Sequence, residues 1–235
     1  HGGAALGAAA VGGGAFGLSK LLGGRPPKRL ASFAVNSSGT AAAFRSRPDL
    51  RPTTVKVSGS TPGGYYFLGP GEWKGAQPGP LVIDEDGELV WFEPLASNLW
   101  ATDVKASVVS GKPVISWWQG TVLNPGYGNG EGVVVDSSYR ELARIRAANG
   151  RVSDLHEQLL TPHGTALITC FPQVTHTDLS AVGGPRNGTV FESVFQELDI
   201  RTGRLLFEWR SLNHVPVTES CRPLGEEPWD YLHLN

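Results

Sequence analysis

The chain has 235 residues, 40% hydrophobic and 18% charged, with a formal net charge of −2, which fits one domain with a sizeable core. No basic stripe runs through it, so nucleic acid is excluded as an expected partner. Gly (31) and Pro (17) are abundant and long helical periodicity is scarce, a pattern that predicts an all-β protein of short strands and tight turns.

The first segment separates cleanly from the rest. Gly2 to Leu18 holds only Gly, Ala, Val, Leu and Phe, and Lys20, Arg25, Lys28 and Arg29 follow. Residues 1–18 are expected to be an export signal or membrane-anchor remnant, against the alternative of a flexible Gly/Ala linker, and 19–43 a tether. The weak hydrophobicity suits the twin-arginine route and an extracellular or cell-envelope location. A His at position 1 and the absence of Met predict a piece of a longer protein. Asn36-Ser37-Ser38 and Asn187-Gly188-Thr189 fit the N-glycosylation acceptor pattern.

From Tyr65 the sequence alternates strands and turns. Leu81 to Phe92 reads as a hairpin around Asp84-Glu85-Asp86-Gly87, where Asp bonds local backbone and Gly supplies positive φ. Glu197 to Trp209, around Asp199 and Gly203, is a close relative, and Val133 to Ala143, around Asp136, a weaker one. Between them, Ala101 to Ser116 reads as strand, Ser110-Gly111-Lys112-Pro113 turn, strand, running into Trp117-Trp118. Ser153 to Cys170 reads as strand, Thr161-Pro162-His163-Gly164 turn, strand. The recurrence of four strands about every 50 to 60 residues is close to the spacing of propeller blades. Blades are expected at 101–147 and 153–210, with a partial one before and Trp229 to Asn235 opening the next. The fold class is therefore an incomplete β-propeller of four-stranded antiparallel blades over 44–235, with a sandwich as the alternative.

Cys170 and Cys221 make neither a disulfide framework nor a metal site. They form one bridge, or are a buried strand thiol and a loop thiol. No cofactor motif is present: the chain lacks a Cys/His zinc spacing, a phosphate loop and a Gly-x-Ser-x-Gly elbow.

Histidines are the candidate functional residues. His156 falls in the first strand of one expected blade and His233 in the first strand of the next, so both would line a central channel and converge there. Asn235, two residues on, would share a strand face with His233. Imidazoles with an amide suit anion binding and proton transfer. The plainer alternative is two buried histidines bonded to backbone. His163 is expected in an exposed turn, and His176 and His214 in loops. Of Trp117 and Trp118, one is expected between blades and the other in a channel; Trp229 and Tyr231 are expected in the core.

From Phe44 to Asn235 the sequence resembles the arylsulfotransferases, in their actinobacterial and fungal branch. The resemblance runs through Phe44 to Pro52, Gly79 to Asp84, Gly87 to Phe92, and Gly111 to Trp118. It continues through Asp154-Leu155-His156-Glu157, Leu160 to Leu167, Gln196 to Ile200, Leu206 to Trp209, and Trp229 to Asn235. It implies a six-bladed propeller that moves a sulfuryl group from an aryl sulfate donor to a phenolic acceptor, without a nucleotide donor, through a sulfohistidine. By motif, His156 matches a channel histidine, and His233 and Asn235 match the H-x-N pair that touches sulfate oxygens or serves as acid or base. The family's nucleophilic histidine and sulfate-binding arginine follow that motif, so the 235 residues alone are expected to be inactive. The alternatives are a non-catalytic extracellular propeller that binds a ligand or protein, and a quinone-dependent dehydrogenase-like propeller, for which no cofactor motif is seen.

Overall fold

A computed structural model describes residues 47–55, 63–70, 76–124 and 126–234. The expected export signal, the tether, Asn36 and Asn235 lie outside the described residues.

The architecture is all-β with antiparallel sheets. Strands β1 (Tyr65–Leu68), β2 (Leu81–Asp84) and β3 (Leu89–Phe92) form a three-stranded sheet. Strands β4 (Trp100–Val109), β5 (Lys112–Asn124), β6 (Tyr127–Asp136) and β7 (Glu141–Ile145) form a four-stranded meander. Strands β8 (Gln158–Leu160), β9 (Thr165–Cys170), β12 (Val194–Asp199) and β13 (Leu205–Arg210) form a second four-stranded sheet, ordered β13-β12-β9-β8. A hairpin of β10 (Gln173–Thr177) and β11 (Gly188–Phe191) is inserted between β9 and β12. The two four-stranded sheets cover the spans expected for whole blades. Among the described residues no helix is long and apolar enough to cross a membrane.

Three hairpins share one device. Asp84 Oδ1 accepts from the Asp86 and Glu88 amides at 3.0 and 2.9 Å, Asp136 Oδ1 from Ser138 and Arg140 at 2.7 and 3.0 Å, and Asp199 Oδ1 from Thr202 at 2.7 Å. A short acceptor at the strand end satisfies amides that the turn takes out of the ladder. The β4–β5 turn has positive φ at both Ser110 (49°) and Gly111 (76°), the handedness that follows strand twist.

Alternation along β5 and β6 sends side chains to two cores. Val114 and Val134 point one way and join Ile168, Val194 and Leu198 of the last sheet. Trp117, Val133 and Val135 point the other way and meet Phe67 and Trp91 of the first sheet. A period of two thus places the β4–β7 sheet between its neighbours.

Several expected elements differ. Ser153 to Glu157 is not strand: β8 begins at Gln158, and the preceding residues bend, tied to β6 by a Gly130–Ser153 bridge. Residues 230–234 are not strand either; Trp229, just before them, makes an isolated parallel bridge with Val190. His176 lies on β10, with φ of 61°, rather than in a loop. Trp117 and Trp118 are 3% and 1% exposed, so both are core residues. The Trp118 ring lies over Gly120, Gly128 and Gly130, where side chains would collide with it. Cys170 is buried and Cys221 exposed, and both are free. Burial pushes the Cys170 thiol up to about 12. Trp229 and Tyr231 are core residues at 4% and 1% exposure, and His163 is exposed in its turn.

Candidate functional site

The site is built from two arms. In the first, the 153–157 bend hangs on the β6 backbone. Ser153 O accepts from the Gly130 amide at 3.0 Å and from Trp118 Nε1 at 3.1 Å. Asp154, 2% exposed, accepts from the Gly128 amide at 3.2 Å and the Leu155 amide at 2.7 Å. Its Oδ2 lies 3.0 Å from His156 Nδ1. A carboxylate only accepts, so His156 carries its proton on Nδ1 toward Asp154 and turns Nε2 to the cleft.

The second arm is the irregular segment after β13. Trp229 and Tyr231 seat it: the Trp229 amide donates to Thr189 O at 2.9 Å, Trp229 Nε1 to Pro223 O at 3.0 Å, and Tyr231 Oη to Val215 O at 3.3 Å. Between them Asp230 turns to His233, with Oδ2 3.0 Å from Nδ1, and forms an ion pair with Arg222. The same reasoning gives His233 a proton on Nδ1.

The arms meet. His156 Nε2 and His233 Nε2 are 3.1 Å apart, across 77 residues of sequence. They face a cleft of about 970 Å³, in which Tyr127, Phe171 and Phe191 supply aromatic walls. Phe171 stacks on the His233 ring at 4.8 Å, and Tyr127 stacks on Phe191 at 4.3 Å. Burial and the negative charge of Asp230 push the Tyr127 phenol up, so it stays protonated as a donor at neutral pH. Arg151 also lines the cleft and is held by Glu208, with Nε 3.0 Å from Oε2. Those bonds hold Glu208 down at about 2.

Of the residues expected from sequence, His156 and His233 do come together, although neither stands on a strand. His233 does not stand on a strand, and the expected pairing of its face with Asn235 lies outside the described residues. His163, His176 and His214 do not line the cleft. His214 stacks on Trp209 at 5.4 Å. Sequence reasoning missed Asp154, Asp230 and Tyr127. The Asp-x-His and Asp-x-x-His spacings were visible, and so was Tyr127 between Gly126 and Gly128. Among the described residues no group of His, Cys, Asp and Glu is arranged to hold a metal ion.

Fold and site together define an all-β protein of antiparallel sheets with a carboxylate-backed histidine pair in an aromatic-walled cleft. The arylsulfotransferase (ASST) family model matches residues 105–235, more than half of the chain, and the chain belongs to that family. No curated protein and no solved structure matches the chain.

Proposed function

We propose that the cleft binds an aryl sulfate ester and that His156 and His233 act on its sulfuryl group during transfer to a phenolic acceptor. The observation that carries this reading is the convergence of the two Nε2 atoms, 3.1 Å apart, beneath aromatic walls. Aromatic rings suit the aryl part, and imidazole N–H groups suit the developing negative charge on sulfuryl and leaving oxygens. Arg151 and Arg222 also line the cleft, paired with Glu208 and Asp230 respectively. Asn235, the second member of the H-x-N motif, is assigned to the sulfate oxygens beside His233. The transfer is ping-pong through a sulfohistidine, as the family resemblance implies. The two four-stranded sheets are read as blades of a propeller, and the protein as exported, with the N-terminal run as signal or anchor.

One observation favours a second reading, a propeller that binds a ligand without catalysis. Each imidazole spends its Nδ1 on a carboxylate and its Nε2 on the other imidazole, so neither is free as a nucleophile. The test is parallel incubation of the 235-residue chain and the longest obtainable form of the protein with 4-nitrophenyl sulfate. One equivalent of nitrophenol released together with a sulfuryl adduct in the intact mass, followed by continued release and loss of the adduct when phenol is added, supports transfer. Loss of both in His233→Ala ties them to this cleft. Saturable binding without release from either form supports the second reading.

A further inference from the structure

We infer that the site takes up one proton for each sulfate group it binds, because the two imidazoles share one proton when it is empty. This rests on the reading of the cleft as a sulfate ester site. Four ring nitrogens are involved. Both Nδ1 atoms lie 3.0 Å from carboxylate oxygens and therefore carry protons. The two Nε2 atoms, 3.1 Å apart, form a hydrogen bond only if one has a proton and the other a lone pair. Without any proton between them, two lone pairs would face each other. With two, two N–H groups would. The pair thus holds three ring protons and one positive charge.

The surrounding groups suit this count. Asp154 backs His156 from the 153–157 bend. Asp230 backs His233 from the C-terminal segment and is itself paired with Arg222. Tyr127 on β6 is neutral. Arg151 on the cleft wall is matched by Glu208, and Glu157, next to His156, by Lys105. Glu226 and Glu227 line the cleft from exposed positions, and Glu227 accepts from the Thr189 amide at 2.8 Å. Two carboxylates thus back the pair directly and can balance a second imidazolium charge when an anion arrives.

A sulfate oxygen between the rings is an acceptor only. To receive a hydrogen bond from both Nε2 atoms it needs a proton on each. The rings then hold four protons rather than three, and the added one comes from solvent. The Nε2–Nε2 bond breaks, and two N–H···O bonds replace it. Asp154 and Asp230 are positioning residues in this scheme: they keep the Nδ1 protons in place so that the change falls on Nε2.

The experiment is titration calorimetry of the 235-residue chain with 4-nitrophenyl sulfate, and separately with inorganic sulfate, in buffers of different ionisation enthalpy. The expected result is uptake of about one proton per ligand at neutral pH, and affinity that rises about tenfold per pH unit on acidification. Comparable uptake with both ligands places the effect on the sulfate group; uptake with the aryl ester alone would overturn that assignment. Binding with no proton uptake overturns the inference and leaves the proposed function standing. Absence of binding to either ligand, both by the 235-residue chain and by the longest obtainable form of the protein, would sink the proposed function and this inference with it. Long-range ¹⁵N correlation spectra of the free chain then decide the proton count by themselves. They are expected to show both Nδ1 atoms protonated and one proton shared by the Nε2 atoms. A bare Nδ1 on either ring overturns the inference. In Asp230→Asn, whose amide can donate, the His233 Nδ1 signal is expected to move toward the unprotonated position while His156 keeps its own. No change at His233 would count against a positioning role for Asp230.

Discussion

The two arms of the site hold the same chemistry by different means. Asp154 is buried and gripped by main-chain amides of β6 and of Leu155, so its orientation is written into the backbone. Asp230 is gripped by Arg222, whose side chain is 58% exposed, and rides on a segment seated by Trp229 and Tyr231. The first arm depends on sheet geometry, the second on aromatic packing and a salt-screened ion pair. His233 is therefore the half of the pair whose position is most open to perturbation.

The largest effect expected from breaking this contrast is at Tyr231. It is 1% exposed, and Tyr231→Ala should cost about 3–5 kcal/mol in urea unfolding. In whatever fraction remains folded, His233 should separate from His156 while the Asp154–His156 contact survives, as read from imidazole NMR signals. Loss of both contacts together would mean that the arms are not independent.

Gly130→Ala attacks the other arm. A Cβ there would stand 2.2 Å from Gln119 O and 2.4 Å from the Trp118 ring. Neither backbone nor a fully buried indole yields cheaply, so a loss of about 1–3 kcal/mol is expected. The disturbance should appear at His156 before His233, the reverse of the Tyr231 variant.

Acid provides a third test near the first arm. Glu208 falls from its ordinary 4.5 to about 2 through hydrogen bonds from Arg151, Gln196 and Asn149. A carboxylate with a lowered folded value contributes stability that is complete above 4.5 and is lost as pH falls from there through about 2. Urea midpoints measured down through this window should fall less steeply for Glu208→Gln than for the unsubstituted chain. Equal slopes would show that Glu208 is not the group responsible.

The smallest change is expected from Arg222→Gln. An exposed ion pair contributes about 1 kcal/mol or less, so the midpoint should shift little. What should change is salt sensitivity. Added salt should weaken the His233 arm in the unsubstituted chain and leave the variant nearly unaffected. A large stability loss would mean that Arg222 seats the whole segment rather than only orienting Asp230.

What could be read from sequence alone was what local chemistry controls. The Asp84, Asp136 and Asp199 hairpins were legible because each aspartate bonds amides within four residues of itself. The four-stranded units at 101–147 and 153–210 followed from those turns and from alternation of apolar residues. His156 and His233 were singled out, but on the expectation of two neighbouring strands, and the structure brings them together from a bend and an irregular segment. The β10–β11 insertion gave no strong periodic signal. The roles of Asp154, Asp230 and Tyr127 were hidden because a short Asp–His spacing is common and says nothing about where either side chain points. That pointing is tertiary. It depends on Ser153 binding β6, on Trp229 and Tyr231 docking beneath β11, and on 77 intervening residues folding so that two nitrogens meet. The patterns for near-neighbour hydrogen bonds and for a period of two lie in adjacent residues of the chain, whereas the histidine pair exists only once separate sheets have packed.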